Sequence, residues 1–162
     1  MSVQIRLATP GDADAVWHIM EPIVRGGDTY AIAPTVERRE GLDYWFSPSH
    51  EVYVATEGKV IVGTYYLRAN GQGGAAHVSN CGYMTDGRWS GRGIAGAMCV
   101  HSLERARHRG FKAMQFNFVV STNTRAVHLW EKHGFRVVGR LSGAFLHPSQ
   151  GYVDALVMYR SL

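Results

Sequence analysis

The residues "DGRWSGRGIAGAM" (86–98) set a run of glycines where a helical pattern begins. Glycine is among the poorest helix formers, so each one in that place needs a reason. Gly91-Arg92-Gly93-Ile94-Ala95-Gly96 reads literally as G-x-G-x-x-G. As a dinucleotide fingerprint it would belong in a first βαβ unit, with an acid about 20 residues further on. Here several strand patterns come first, and the following strand "KAMQFNFVV" (112–120) holds no acid. The P-loop string G-x-x-x-x-G-K-[ST] does not occur. A plain tight turn before a helix stays open. The remaining reading is an anion cradle. A strand, a glycine loop and a helix N-terminus present several backbone N–H groups outward, and the helix dipole favours negative charge there. Gly91 and Gly93 allow close approach, while Arg88 and Arg92 add charge suited to phosphate oxygens.

Hydrophobic periodicity orders the chain around this loop as β-α-α-β-β-β-α-β-α-β-β. "VQIRLA" (3–8) alternates as a strand, and Thr9-Pro10 starts a helix to about Val24 with Ala15, Ile19 and Ile23 on one face. Thr35 is expected to cap a second helix running to about Phe46. Residues 51–68 form a hairpin turning at Glu57-Gly58-Lys59, and 75–85 form the strand that enters the glycine loop. Helices are expected over Ile94–Arg109 and Thr122/Asn123–His133, stopped by Gly110 and Gly134. Strands at 112–120, 135–141 and 151–160 complete an α+β chain with a largely antiparallel sheet. No repeat or linker divides residues 1–162, so a single domain is expected.

Of the 162 residues, 46% are hydrophobic and 19% charged, the balance of a globular chain. The net charge of +4 comes from scattered arginines, without the basic run interleaved with aromatics that a polynucleotide groove needs. No nucleic acid partner is expected. No apolar run reaches the roughly 20 residues of a membrane span, and "MSVQIRLATPGD" lacks a signal-peptide core. Cys81 and Cys99 are too few for a disulfide framework, so a cytoplasmic location is expected. His101 and His108 share a helix face, and His128 and His133 do so loosely, without a carboxylate or cysteine at ligand spacing. No metal site is expected.

Arg88-Trp89-Ser90-Gly91-Arg92-Gly93 fits [Q/R]-x-x-G-x-[G/A] and resembles the acetyl-CoA pyrophosphate loop of the GNAT superfamily of N-acetyltransferases. The usual loop has a basic residue where Ser90 stands, so one charge is missing. "TNTRAVHLWEKHGFRVVG" (122–139) resembles the family's later motif at Asn123, Ala126, Leu129, Trp130, Gly134 and Phe135, and "IRLATPGDADAV" resembles its first strand and helix. The resemblance implies an α/β/α-layered fold, a sheet splayed between its fourth and fifth strands, and acetyl-CoA as donor with CoA as product. It implies cofactor contacts from Tyr83, Met84, Thr85, Arg88, Gly91, Arg92, Gly93, Ile94 and Ala95, with Asn123 on the pantetheine amides. Backbone groups at Tyr83 and Met84 would polarise the thioester carbonyl. Many relatives carry a tyrosine, proposed to protonate the leaving thiolate, where this chain has Trp130. An indole N–H is no acid near neutral pH, so Trp130 is expected to pack against the cofactor arm. For the general base the candidates are Asp86, after the fourth strand, and Asp154, whose apolar strand could raise its pKa. A water chain would serve equally.

Among GNAT enzymes the chain is similar to small-molecule acetyltransferases of the phosphinothricin and methionine-sulfone type. The tail and "FNFVVSTN" are most similar to fungal enzymes acting on azetidine-2-carboxylate and related proline analogues. In those enzymes asparagines at the positions of Asn80 and Asn117 hold the acceptor. The implied acceptor is a small amino or imino acid, oriented by both amides without a full positive charge, under a lid "GDTYA" (27–31) that includes Thr29 and Tyr30. A homodimer is left open. The alternative from another class is a catalytically silent acyl-CoA-binding sensor or interaction module.

Overall fold

A computed structural model describes residues 2–162. The elements run β1 (Gln4–Leu7), α1 (Ala13–Gly26), α2 (Arg38–Trp45), β2 (Glu51–Glu57), β3 (Val60–Ala69), β4 (Val78–Thr85), α3 (Ile94–His108), β5 (Ala113–Val120), α4 (Thr124–Lys132), β6 (Arg136–His147) and β7 (Gly151–Ser161). The strands form one sheet in the order β1-β2-β3-β4-β5-β7-β6. Every neighbouring pair is antiparallel except β4 and β5. Two cores lie on opposite faces, giving the expected α/β/α layering. Trp17, Met20 and Val24 of α1 and Trp45 of α2 pack on Val54, Tyr66 and Met84. Met98, Cys99 and Leu103 of α3 and Trp130 of α4 pack on Tyr65, Leu67 and Phe116.

The sheet opens where the resemblance implied. β4 and β5 pair in parallel only at Val78↔Ala113 and Ser79↔Met114, and then diverge. At the point of divergence Asn80 Nδ2 donates to Gln115 O at 2.9 Å, so an amide side chain stands in for a backbone rung. Beyond it an aromatic cluster lines the opening on the α3–α4 face of the sheet. Tyr83 lies 4.9 Å from Trp130 and 5.9 Å from Phe116, and Phe116 stacks on Phe135 at 4.3 Å.

Three expectations are corrected. The second helix starts at Arg38 with Glu37 as N-cap, not at Thr35. Pro34 and Thr35 occupy a turn closed by Val36 N donating to Ala33 O at 2.9 Å, the position that favours proline's fixed φ. The inward face of α1 is Val16, Ile19, Met20 and Val24, whereas Ile23 is only half-buried. β6 continues past Leu141 to His147, because the Ser142-Gly143 step is an irregularity within the ladder and not its end, with Gly143 at φ 58°.

The chain enters the α1–α2 layer through one ion pair. Asp12, 7% exposed, accepts from Arg6 Nη1 at 2.8 Å, Arg6 Nη2 at 3.0 Å and Thr9 N at 2.7 Å. The Arg6 hydrogen bond, foremost, lowers its pKa from 3.8 to about 2. A carboxylate with a depressed folded pKa stabilises the fold above its unfolded pKa and loses that contribution as pH falls through the folded value. Asp12→Asn is therefore expected to lower stability at pH 7 by roughly 1–2 kcal/mol, allowing for the exposed guanidinium. Urea unfolding should show the difference shrinking between about pH 4 and pH 2.

Candidate active site

The opening between β4 and β5 is a cleft of 1140 Å³ that reaches both faces of the sheet. On one side its wall is the glycine loop, the start of α3 and the face of α4. On the other it is the α1–α2 connection and the ends of β3 and β4.

The glycine loop is built as an anion cradle requires. Gly91 and Gly93 have φ of 78° and 79°, a region that L side chains rarely adopt. Gly93 caps α3, and the first helical bond of that end runs from Ala97 N to Gly93 O at 3.0 Å. The N–H groups of Ile94, Ala95 and Gly96 precede that bond, so they lack helical partners and line the cleft. Arg88 and Arg92, expected to add charge here, do not line it. Arg88 folds onto buried Asp86, with Nη2 2.7 Å from Oδ2, and also meets His18 Nε2 at 3.2 Å. Arg92 lies over the Trp89 ring at 4.6 Å from its centroid. The cation beside the loop is Arg125, which the sequence reasoning missed. Its Nη1 donates to Ser90 Oγ at 2.8 Å, so the charge absent from position 90 arrives from the first turn of α4. The only sequence signal was its place two residues after Asn123.

Strand alternation decides which backbone groups face the opening. Asn70 N donates to Val78 O and Asp86 N to Val62 O, so even-numbered residues of β4 address β3. Met84 is therefore corrected as a carbonyl-polarising residue. Its N–H belongs to the β3 ladder, and its side chain is 2% exposed in the core beneath α1. Tyr83, one residue earlier, directs its backbone toward the opening, as does Thr85 at the cleft edge. Tyr83 O accepts from Tyr30 OH at 2.7 Å, which pins the lid residue across the cleft. Burial drives the Tyr30 phenol well above its ordinary pKa, so it stays protonated and donating. Thr29 lines the cleft beside it. Gly82 floors the site, since a Cβ there would lie 2.5 Å from the Tyr66 ring.

Asn80 is buried and spoken for. Besides donating to Gln115 O, its Oδ1 accepts from Arg68 Nε at 3.1 Å. Asn117, read as an amide between aromatics, is exposed at the cleft margin. Its Nδ2 donates to Asn70 Oδ1 at 2.6 Å and its Oδ1 accepts from Gln115 Nε2 at 3.0 Å. Asn123 caps α4, its Oδ1 accepting from Ala126 N at 3.4 Å, and it also lines the cleft. Trp130 is buried, 4.9 Å from both the Tyr83 and Phe116 rings, and forms the cleft wall.

Both carboxylates considered as general bases are corrected. Hydrogen bonding to Arg88 holds Asp86 below the ordinary carboxylate range, and it caps the turn at Gly87–Trp89. Asp154 is lowered, not raised, because Gly143 N donates to it at 2.9 Å and Arg140 at 2.8 Å. Neither lines the cleft. The thiol of Cys81 does, but burial pushes it to about 12, so it is no nucleophile near neutral pH. Among the described residues no cluster of three or more His, Cys, Asp or Glu side chains is placed to hold a metal. Among them, too, no helix is long and apolar enough to cross a membrane.

A splayed sheet with an anion-binding helix N-terminus on one side and a lidded pocket on the other is the architecture of an acyl-CoA-dependent transferase. The family model described as "Acetyltransferase (GNAT) family" matches residues 17–135, and the chain belongs to that family. It is an N-acetyltransferase of that family. The chain is 28% identical over 148 residues to N-acetyltransferase aca1 of Schizosaccharomyces pombe, covering 81% of this chain and 71% of that one. Its fold superposes with a TM-score of 0.94 on a GCN5-related N-acetyltransferase from Kribbella flavida, at 37% identity over 99% of this chain and 98% of that one. It also matches yncA of Salmonella typhimurium, solved with its cofactor acetyl-CoA, with a TM-score of 0.87 and 19% identity, over 100% of this chain and 95% of the other. The cradle fits a pyrophosphate such as acetyl-CoA carries, since a Cβ at Gly93 would meet nothing within 4 Å and Arg125 Nη2 lies only 3.2 Å from where one at Gly91 would stand.

Gly93→Asp would place a carboxylate beside unpartnered N–H groups and strain a φ of 79°. Calorimetry is expected to show acetyl-CoA affinity falling roughly 10- to 100-fold. Arg125→Ala should weaken it by about 10-fold, the value of one exposed charge-assisted contact.

Proposed function

We propose that this acetyltransferase modifies the amine of a small amino or imino acid. The observation that carries the reading is the two-sided cleft. Its α3–α4 side suits a phosphate-bearing donor, and its α1–α2 side is bridged by Tyr30, whose OH donates to Tyr83 O. A protein acceptor would need an open surface groove, whereas Tyr30 bridges this entrance to Tyr83. The aca1 relative, an N-acetyltransferase from a fungus, is consistent with the reading.

In this reading the N–H groups of Ile94, Ala95 and Gly96 and the guanidinium of Arg125 hold the donor's phosphates. The free N–H bonds of Asn123 engage the donor's amide arm, and Trp130 packs along it. Acetyl-CoA supplies an acetyl thioester, whose C–S bond breaks as the acceptor nitrogen bonds to the acetyl carbon. The backbone N–H of Tyr83 faces the opening and serves as the hydrogen-bond donor to the developing oxyanion. Thr29, Tyr30 and Asn117 enclose the acceptor, while Asn80 keeps the two strands joined behind it. The acceptor's proton leaves to water, since the Asp86 and Asp154 carboxylates are held by arginines outside the cleft. Transfer is direct. The buried thiol of Cys81 takes no acetyl group, and both cysteines being buried free thiols accords with a cytoplasmic setting.

Thiol release from acetyl-CoA, measured over a panel of amino acids, imino acids and carboxylate-free amines, tests the reading. Turnover restricted to the amino and imino acids is expected. Turnover only with carboxylate-free amines would overturn the acceptor class, and tight donor binding without release across the panel would favour a silent binding module. Cys81→Ala is expected to keep turnover within about twofold and to give no acetyl-enzyme by mass spectrometry.

A further inference from the structure

On the α1–α2 side of the cleft two phenols share a hydrogen bond. Tyr66 lies on β3 opposite Gly82 of β4, and Tyr44 lies on the last turn of α2. Both residues line the cleft, and their hydroxyl oxygens are 2.9 Å apart. Neither hydroxyl has another protein partner among the described residues. Packing holds the Tyr66 ring in place. His50 stacks on it at 4.0 Å and 8°, and the Trp45 and Tyr44 rings meet it edge-on at 4.9 and 6.0 Å. Its edge lies over Gly82, with the hydroxyl 3.0 Å from the point that a Cβ there would occupy.

Gly82 precedes Tyr83, whose N–H faces the opening, so the Tyr66 hydroxyl stands beside the point where acetyl transfer is assigned. A nitrogen attacking from the α1–α2 side passes over Gly82. The two phenols differ in their access to water, Tyr66 being 4% exposed and Tyr44 43%. One hydrogen bond thus joins the interior of the site to solvent. When Tyr66 donates to Tyr44, its oxygen keeps a lone pair for an N–H in the cleft, and the Tyr44 proton is left for water. Burial holds the Tyr66 phenol well above its usual pKa, so it stays neutral. The groups around the pair are no better proton acceptors. Burial keeps Tyr30 and Cys81 protonated, and Arg68 is a cation. His50 presents its ring face to Tyr66 and meets Trp45 O through Nδ1 at 3.0 Å. Glu40 is exposed on α2, one turn before Tyr44.

We propose that Tyr66 and Tyr44 form the route by which the acceptor's proton leaves the cleft. Tyr66 is the catalytic residue. Its oxygen takes a proton from the bound ammonium as its own proton passes to Tyr44 and the Tyr44 proton passes to water. An N–H bond of the ammonium breaks and an O–H bond forms on water. Both phenols end neutral with the hydrogen bond between them reversed, and rotation of the hydroxyls restores it. The nitrogen then has the lone pair that attacks the acetyl carbon, and a second proton from it ends on the departing sulfur. The net change is one ammonium and one acetyl thioester to one amide, one thiol and one released proton. Tyr44 acts only through Tyr66, positioning its hydroxyl and passing the proton on. This inference rests on the reading of this side of the cleft as the acceptor's, and names the path to water that the missing carboxylate base leaves open.

The test uses the least basic amine of the panel that the wild type turns over, with or without a carboxylate. It compares wild type, Tyr66→Phe, Tyr44→Phe and the double variant, since phenylalanine keeps each ring and deletes the hydroxyl. At pH 7, where the amine enters as ammonium, Tyr66→Phe should lower kcat roughly 10- to 100-fold with the acceptor KM within about threefold. Tyr44→Phe should lower kcat as well, and the double variant should lose no more than Tyr66→Phe, because the two hydroxyls act in series. At a pH equal to the amine's own pKa half of the acceptor arrives neutral and needs no proton exported, so the Tyr66→Phe deficit should shrink to about threefold or less. Calorimetric acetyl-CoA affinity should stay within about twofold in every variant, showing that the fold and donor site are intact. A Tyr66→Phe kcat equal to that of the wild type at pH 7 overturns the relay and leaves the acceptor reading standing. So does a loss of the same size at both pH values, the mark of a hydroxyl that only supports the structure. Wild-type turnover of no amine in the panel overturns the relay and the acceptor reading together.

Discussion

Everything this chain does depends on where β4 and β5 stop pairing. Their ladder ends at Ser79↔Met114, and the amide of Asn80 ties the strands once more through Gln115 O. Past that point backbone groups of β4 face a cleft where a central strand would normally face a neighbour. Unpaired backbone inside a sheet is costly unless something else satisfies it. Here Tyr30 OH meets Tyr83 O, and the Tyr83 N–H is left for a ligand. The aromatic cluster of Tyr83, Phe116, Trp130 and Phe135 lines the opening on the α4 side. Binding and chemistry are thus consequences of an interrupted hydrogen-bond ladder.

Charge is distributed to match. The acids considered as bases are neutralised structurally, Asp86 by Arg88 and Asp154 by Arg140, while among the described residues the cleft keeps two guanidinium groups without carboxylate partners, Arg125 beside the cradle and Arg68 at the end of β3. An amine acceptor must lose its proton before it can attack, and a cationic cleft favours the neutral form.

Much of this was legible in the sequence because it depends on local rules. Glycines at positions 91 and 93 marked a loop of close approach at a helix start, and in the structure both adopt positive φ there. Gly110 and Gly134 marked helix ends through the same preference, at φ of 86° and 87°. What was not legible depends on tertiary pairing. The parity of β4, which turns Met84 toward β3 and Tyr83 toward the cleft, follows from strand register and not from residue type. Asp154 sits among apolar residues in sequence, yet Arg140 and Gly143 reach it across the β6–β7 hairpin. Arg88 and Arg125 show the same limit. The arginine inside the motif is drawn to Asp86, and one from another helix takes up the position beside Ser90.

The central claim is that donor and acceptor enter the β4–β5 opening from opposite faces of the sheet and meet at Tyr83. A crystal structure of the enzyme with CoA and the N-acetylated product bound together measures this directly. The account predicts CoA phosphates on the N–H groups of residues 94–96, the product on the α1–α2 side, and its acetyl oxygen within hydrogen-bond distance of Tyr83 N. Both molecules entering from the same face, or an acetyl oxygen bound elsewhere than to β4, would contradict it.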